Sequence, residues 1–189
     1  MGTLFLWRVS ENTQESLSFQ LPVPTFSSEA NEAQEEIMYQ SSIIRVMESG
    51  FHKETEEAVS VCSGILESHQ YTIYKRNDVC SVLTDLKDSM YALSRESDLV
   101  VILGGTGFLK EDNSPESVLS IIDKRATSFE IAMTSNALKN DPELVLYRTV
   151  AGTVSNCMII CIPGLPETVP LYLEPVLEPL KKLIDSWKN

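Results

Sequence analysis

The chain has 189 residues, 43% of them hydrophobic and 22% charged, and carries a formal net charge of -12. That length suits one domain with a sizeable core and an appended arm. The acidic balance argues against a general nucleic-acid binder, because no basic stripe is present to displace counterions from a phosphate backbone.

A small anionic ligand is compatible with that charge, since backbone N–H groups at turns and helix starts bind phosphate whatever the net charge. No run approaches the roughly 18 apolar residues of a membrane span. The opening MGTLFLWRV is too short an apolar run for a signal peptide, and Leu6 stands where a myristoylation motif needs Ser or Thr. Cys62, Cys80, Cys157 and Cys161 show no C-x-x-C pair and no metal-ligand spacing, so they read as reduced thiols of a reducing compartment. The expectation is a cytoplasmic protein with no membrane partner and no nucleic-acid partner.

Residues 1–42 read as an N-terminal arm without a recognisable site. "TLFLWRV" and "LSFQLPVP" look like two short strands, followed by the acidic "SSEANEAQEE". From residue 43 to 189 the pattern is regular. "SIIRVME" predicts a strand. "TEEAVSVCSGILESH" predicts a helix with Ala58, Cys62, Ile65 and Leu66 on one face and Glu56 and Glu57 in its first turn. "YTIYK" predicts a strand. Val79, Leu83, Leu86, Met90 and Leu93 then recur at spacings of four, three, four and three, the stripe of an amphipathic helix.

"DLVVIL" is an unbroken apolar run of the kind buried on both faces in a parallel sheet. "SPESVLSIIDK" opens a helix with Ser114 as N-cap and Pro115 at the first helical position. "SFEIAMTSNALK" predicts a further helix, and "ELVLYRTV" and "NCMIICI" predict strands. "PETVPLYLEPVLEPLKKLIDSW" is helical, with Pro170, Pro175 and Pro179 arguing against one straight helix. Alternating strands and helices predict a three-layer α/β sandwich with a mostly parallel sheet.

In such sheets ligands bind beyond the carboxyl ends of the strands. Two strands end there in unusual loops. Gly104, Gly105 and Gly107 let backbone amides approach a ligand closely, with the Thr106 hydroxyl beside them. Pro163, Gly164, Leu165 and Pro166 form a stiff loop in which only Gly164 and Leu165 keep an N–H. "GGTG" is neither the G-x-x-x-x-G-K-[ST] loop nor the G-x-G-x-x-G fingerprint.

The longer string "SDLVVILGGTGFLKEDNSPES" resembles the signature of the molybdopterin adenylyltransferase family, which includes the G domain of gephyrin. Ser97, Asp98, Gly104, Gly105, Thr106, Gly107, Asp112, Pro115 and Glu116 match it, with Ser114 in place of Thr. "YRTVAG" (Arg148, Ala151, Gly152), "IPGLPE" and Asp78 in "KRNDV" match further family steps in order. The resemblance covers about residues 43–184. It implies a homotrimer that transfers AMP from ATP to the phosphate of molybdopterin. Asp78 and Asp112 are then the catalytic carboxylates and the ligands of Mg²⁺, a cation that prefers oxygen donors. Gly104, Gly105, Thr106, Gly107, Ser114 and the loop 163–166 are the binding residues.

Three positions depart from the family pattern. Glu48 stands in the region of an expected Ser-Asp step, Glu111 replaces an Arg beside the phosphates, and Leu165 replaces a Ser. They motivate a second reading, a non-catalytic homologue acting as a trimeric scaffold or regulatory binding module.

Overall fold

The computed structural model describes residues 39–47 and 52–189, the side chains of residues 52 and 53 excepted. The expected strands and acidic stretch of the arm lie outside the described residues, apart from the start of β1, and so does Glu48. The described residues form six strands: β1 (Tyr39–Met47), β2 (Tyr71–Cys80), β3 (Leu99–Leu103), β4 (Lys124–Arg125), β5 (Val150–Val154) and β6 (Cys157–Ile162). They form one sheet in the order β2-β1-β3-β6-β5-β4. β2, β1, β3 and β6 run parallel, while β5 is antiparallel to both β6 and β4. The helices are α1 (His52–Ser68), α2 (Leu83–Ser94), α3 (Ser114–Leu119), α4 (Thr127–Asn140) and α5 (Val169–Lys188), with a 3-10 helix at Pro142–Leu146.

The three layers follow from strand alternation. Ile43, Leu99, Val101, Leu103, Met158, Ile160 and Ile162 point to one face, where α1, α4 and α5 cover them. Their neighbours Ile44, Val46, Val100, Ile102, Ile159 and Cys161 point to the other, under α2 and α3. β3 and β6 are buried along their whole length, as continuous apolar runs at the centre of a parallel sheet must be. The mostly parallel α/β sandwich expected from the sequence is the fold observed.

Local differences have identifiable causes. β2 runs on through Arg76, Asn77 and Asp78 to Cys80, so Val79 belongs to a strand and only Leu86, Met90 and Leu93 form the buried stripe of α2. Among the described residues β2 is the sheet's edge and pairs only with β1, and most of its residues are exposed or half-buried and need no apolar side chains. The segment 143–150 is not one strand. Asp141 accepts the Glu143 N–H and opens the 3-10 helix at Pro142, and β5 begins only at Val150.

α5 runs continuously through Pro175 and Pro179. Pro175 has no N–H to offer the Leu171 carbonyl. The Asn136 side chain of α4 donates to that carbonyl instead, at 2.8 Å.

Burial pushes the thiols of Cys62 and Cys161 well above their ordinary range and that of Cys157 up to about 12, while Cys80 is exposed. Thiolate is the reactive form. Iodoacetamide at pH 8 is therefore expected to label the folded protein once, at Cys80, and four times after denaturation, as read by intact mass.

Candidate functional site

β1 leads into α1 on one face of the sheet, and its neighbour β3 leads toward α3 on the other. The gap beyond their carboxyl ends is a topological switch point, the usual place for a ligand in an open α/β sheet. The β3 turn, Gly104–Gly107, lies in that gap. Gly104 and Gly105 have φ of 99° and 64°, in the left-handed region that favours glycine. The Gly104 N–H donates to the Ile162 carbonyl at 3.1 Å, tying the end of β3 to the end of β6.

The β6 turn packs directly against it. A Cβ built on Gly164 would lie 3.1 Å from the Cα and N of Gly104 and 2.9 Å from Thr55 Cγ2 on α1. The two turns inferred from sequence are thus in van der Waals contact. Gly164→Ala is expected to force them apart by a few tenths of an ångström. The expected losses are about 1 kcal/mol of stability and roughly tenfold in affinity for a phosphate ligand, checked by thermal melting and calorimetry.

A cavity of about 200 Å³ opens between the turns, lined by Thr55, Gly104 to Leu109, Asp112, Tyr147, Gly164 and Leu165. That is below the roughly 300–1,000 Å³ of pockets that enclose a whole small molecule. The cavity suits a phosphate or part of a ring, with the remainder of the ligand resting on its rim, where Phe108 and Leu109 are 70% and 71% exposed.

The segment from Thr106 to Glu116 is tied down by Ser81, through Glu111 and Asn113, and most extensively by Arg148, in the connection between the 3-10 helix and β5. Arg148 donates through Nε to the Gly107 carbonyl at 2.7 Å and through Nη2 to the Asp112 carbonyl at 2.8 Å. Its Nη1 pairs with Glu116, and its guanidinium stacks over the Phe108 ring at 5.3 Å. Its backbone N–H bonds the Thr106 carbonyl. Arg148 and Glu116, two separate family matches in the sequence, are each other's partners.

The sequence-inferred residues divide accordingly. Gly104, Gly105, Thr106, Gly107, Gly164 and Leu165 line the cavity; Pro163 and Pro166 flank it without lining it. Ser114 is not the N-cap but the first residue of α3, behind Asn113. Its Oγ is buried against the Cys161 thiol and has no oxygen or nitrogen hydrogen-bond partner among the described residues. Asp112 lines the cavity, but its Oδ2 accepts the Leu109 N–H at 2.7 Å and closes the turn. Asp78 does not line it. Its carboxylate is paired with Arg45 of β1, Nε to Oδ1 at 2.9 Å and Nη2 to Oδ2. Ser97 and Asp98 lie at the amino end of β3, where Ser97 bonds Ser42 and Asp98 holds the Gln40 N–H and Lys188.

Residues 52–182 match the family model described as "Probable molybdopterin binding domain". The chain belongs to this family. Among curated relatives, it is 33% identical over 90 residues to molybdopterin adenylyltransferase of Helicobacter pylori, covering 48% of this chain and 51% of that protein. It is 32% identical over 111 residues to molybdenum cofactor biosynthesis protein B of Staphylococcus aureus, covering 58% and 64%. The chain therefore spans less than two thirds of the length of these two relatives. A molybdopterin biosynthesis protein from Mycobacterium abscessus has the same fold, with a TM-score of 0.73 at 21% identity over 78% of this chain and 95% of that one.

The Mg²⁺ implied by the family resemblance can be tested against these residues. Mg²⁺ needs several oxygens in near-octahedral array. Asp78 has both oxygens on Arg45, Asp112 has one on a backbone amide, and no three His, Cys, Asp or Glu groups converge among the described residues. The arrangement does not fit a divalent ion held by Asp78 and Asp112.

Proposed function

We propose that this chain binds the phosphate of molybdopterin in the cavity between the two turns and transfers AMP to it from ATP. A pterin phosphate oxygen would attack the α-phosphorus, and pyrophosphate would leave. What supports the reading is the contact of Gly164 with Gly104, which sets two amide-bearing turns around one phosphate-sized cavity. Such a transfer asks mainly for positioning and charge stabilisation. Amides of the β3 turn would hold the phosphate, and Phe108 and Leu109 would take the flat ring system. Mg²⁺ enters only as the counterion that ATP carries in solution. Assembly as a homotrimer, a cytoplasmic location and the division into an arm (1–42) and a binding unit (43–189) belong to the same proposal.

A second reading, a non-catalytic binding module, is favoured by Asp78 being closed off by Arg45 and by Glu111 at the family's Arg position. Incubating the purified chain with molybdopterin, ATP and Mg²⁺ and following adenylylated pterin by mass spectrometry separates the two. Product supports the transferase; pterin binding without product supports the module. Neither binding nor product sinks both.

A further inference from the structure

The row of residues across the carboxyl end of the sheet leads from Asp78 on β2, through Arg45 on β1, to Leu103 on β3 and so into Gly104. Arg45 sits where that row meets the start of α1. Its guanidinium engages both Asp78 oxygens, and its Nη1 lies 3.8 Å from Glu56 Oε2. The Arg45 side chain is 17% exposed and that of Asp78 50%.

We infer that Arg45, not a divalent cation, neutralises Asp78 in this chain, so that the phosphate site works without a metal held by the protein. The inference rests on the reading of the paired turns as that site. A two-pronged guanidinium–carboxylate bond satisfies the same oxygens a metal needs and adds a fixed positive charge, which repels an incoming cation.

The second implied ligand is also turned to the protein. Asp112 bonds Leu109, and the segment that follows Glu111 is anchored to Ser81 through the Asn113 side chain at 3.1 Å. Removing Arg45 would leave Asp78 and Glu56 flanking one vacated place. Two carboxylates there are a better site for a divalent ion than any among the described residues of the native chain.

Mn²⁺ alone, followed through the free-ion signal in electron paramagnetic resonance, tests this without any ligand. Wild type and Asp78→Asn are expected to behave alike, with no Mn²⁺ taken up at that position. Arg45→Gln is expected to bind Mn²⁺ more tightly than wild type by roughly tenfold or more. Mn²⁺ uptake by wild type that Asp78→Asn abolishes would overturn the inference, and so would a folded Arg45→Gln that gains none.

Should Arg45→Gln fail to fold, AMP titration of wild type in Mg²⁺ or in EDTA decides. Affinities within about twofold support the inference, and a loss of about tenfold in EDTA overturns it. If AMP binds in neither buffer, the phosphate site itself fails, while the Mn²⁺ comparison still reports on Asp78.

Discussion

Arg148→Ala is expected to lower stability by about 3 kcal/mol in urea unfolding and to remove AMP binding at the glycine turns. The side chain reaches back about forty residues to two carbonyls of the loop, at Gly107 and Asp112, and to the Glu116 carboxylate. Hydrogen bonds from a charged donor contribute about 1.5–3 kcal/mol each, less where water can take over, and Arg148 is only partly covered. Discounted for that exposure, the two bonds supply about 2 kcal/mol, and the half-exposed ion pair and the Phe108 stack supply the rest of the value given.

Loss of binding follows because the Gly107–Asp112 segment is a wall of the cavity and Arg148 is its principal tie to the rest of the fold. Arg148→Lys keeps the charge but not the planar fork, so it is expected to recover less than half of the lost stability. Recovery to wild type would show that charge alone matters and would refute the stapling role.

The second large effect is at Gly105. Alanine there must hold φ near 64°, which costs a residue with a Cβ about 1–2 kcal/mol. Its methyl would also overlap Ser114 Oγ and lie 3.3 Å from Ser114 Cβ and 3.4 Å from Val46 Cγ1. Overpacking of this kind adds about 1–3 kcal/mol. Gly105→Ala is therefore expected to lose about 3 kcal/mol in all, with ligand binding lost through a displaced turn. Pairing it with Ser114→Ala removes the hydroxyl overlap and leaves the backbone strain. The double mutant should regain about 1 kcal/mol relative to the sum of the single changes. Strict additivity would mean that the hydroxyl is not what the methyl meets.

What could be read from the sequence was what local pattern controls. Leu99–Leu103 and Cys157–Ile162 announce central strands because a strand buried on both faces has nowhere to put a polar residue. The glycines of the β3 turn announce a sharp bend for an equally local reason, and the contact between Gly104 and Gly164 followed from the sheet rule for carboxyl ends.

Long-range pairings carried no such signal. Asp78 stood out only through its family match; nothing local shows that it lies on an edge strand, which tolerates polar residues, or that its partner Arg45 is 33 residues away. Arg148 stood out only through its family match, with nothing local to show that it grips the loop 41 residues earlier. Ser114 has the chemistry of a cap, but the helix it was expected to precede already includes it.

The Leu171 carbonyl that Pro175 leaves open, and that Asn136 fills, makes the last long helix dependent on its neighbour. Two prolines within five residues deny this segment an autonomous helical existence. Its order is borrowed from docking, so α4 and α5 should open and close together as one cooperative block during native-state fluctuation.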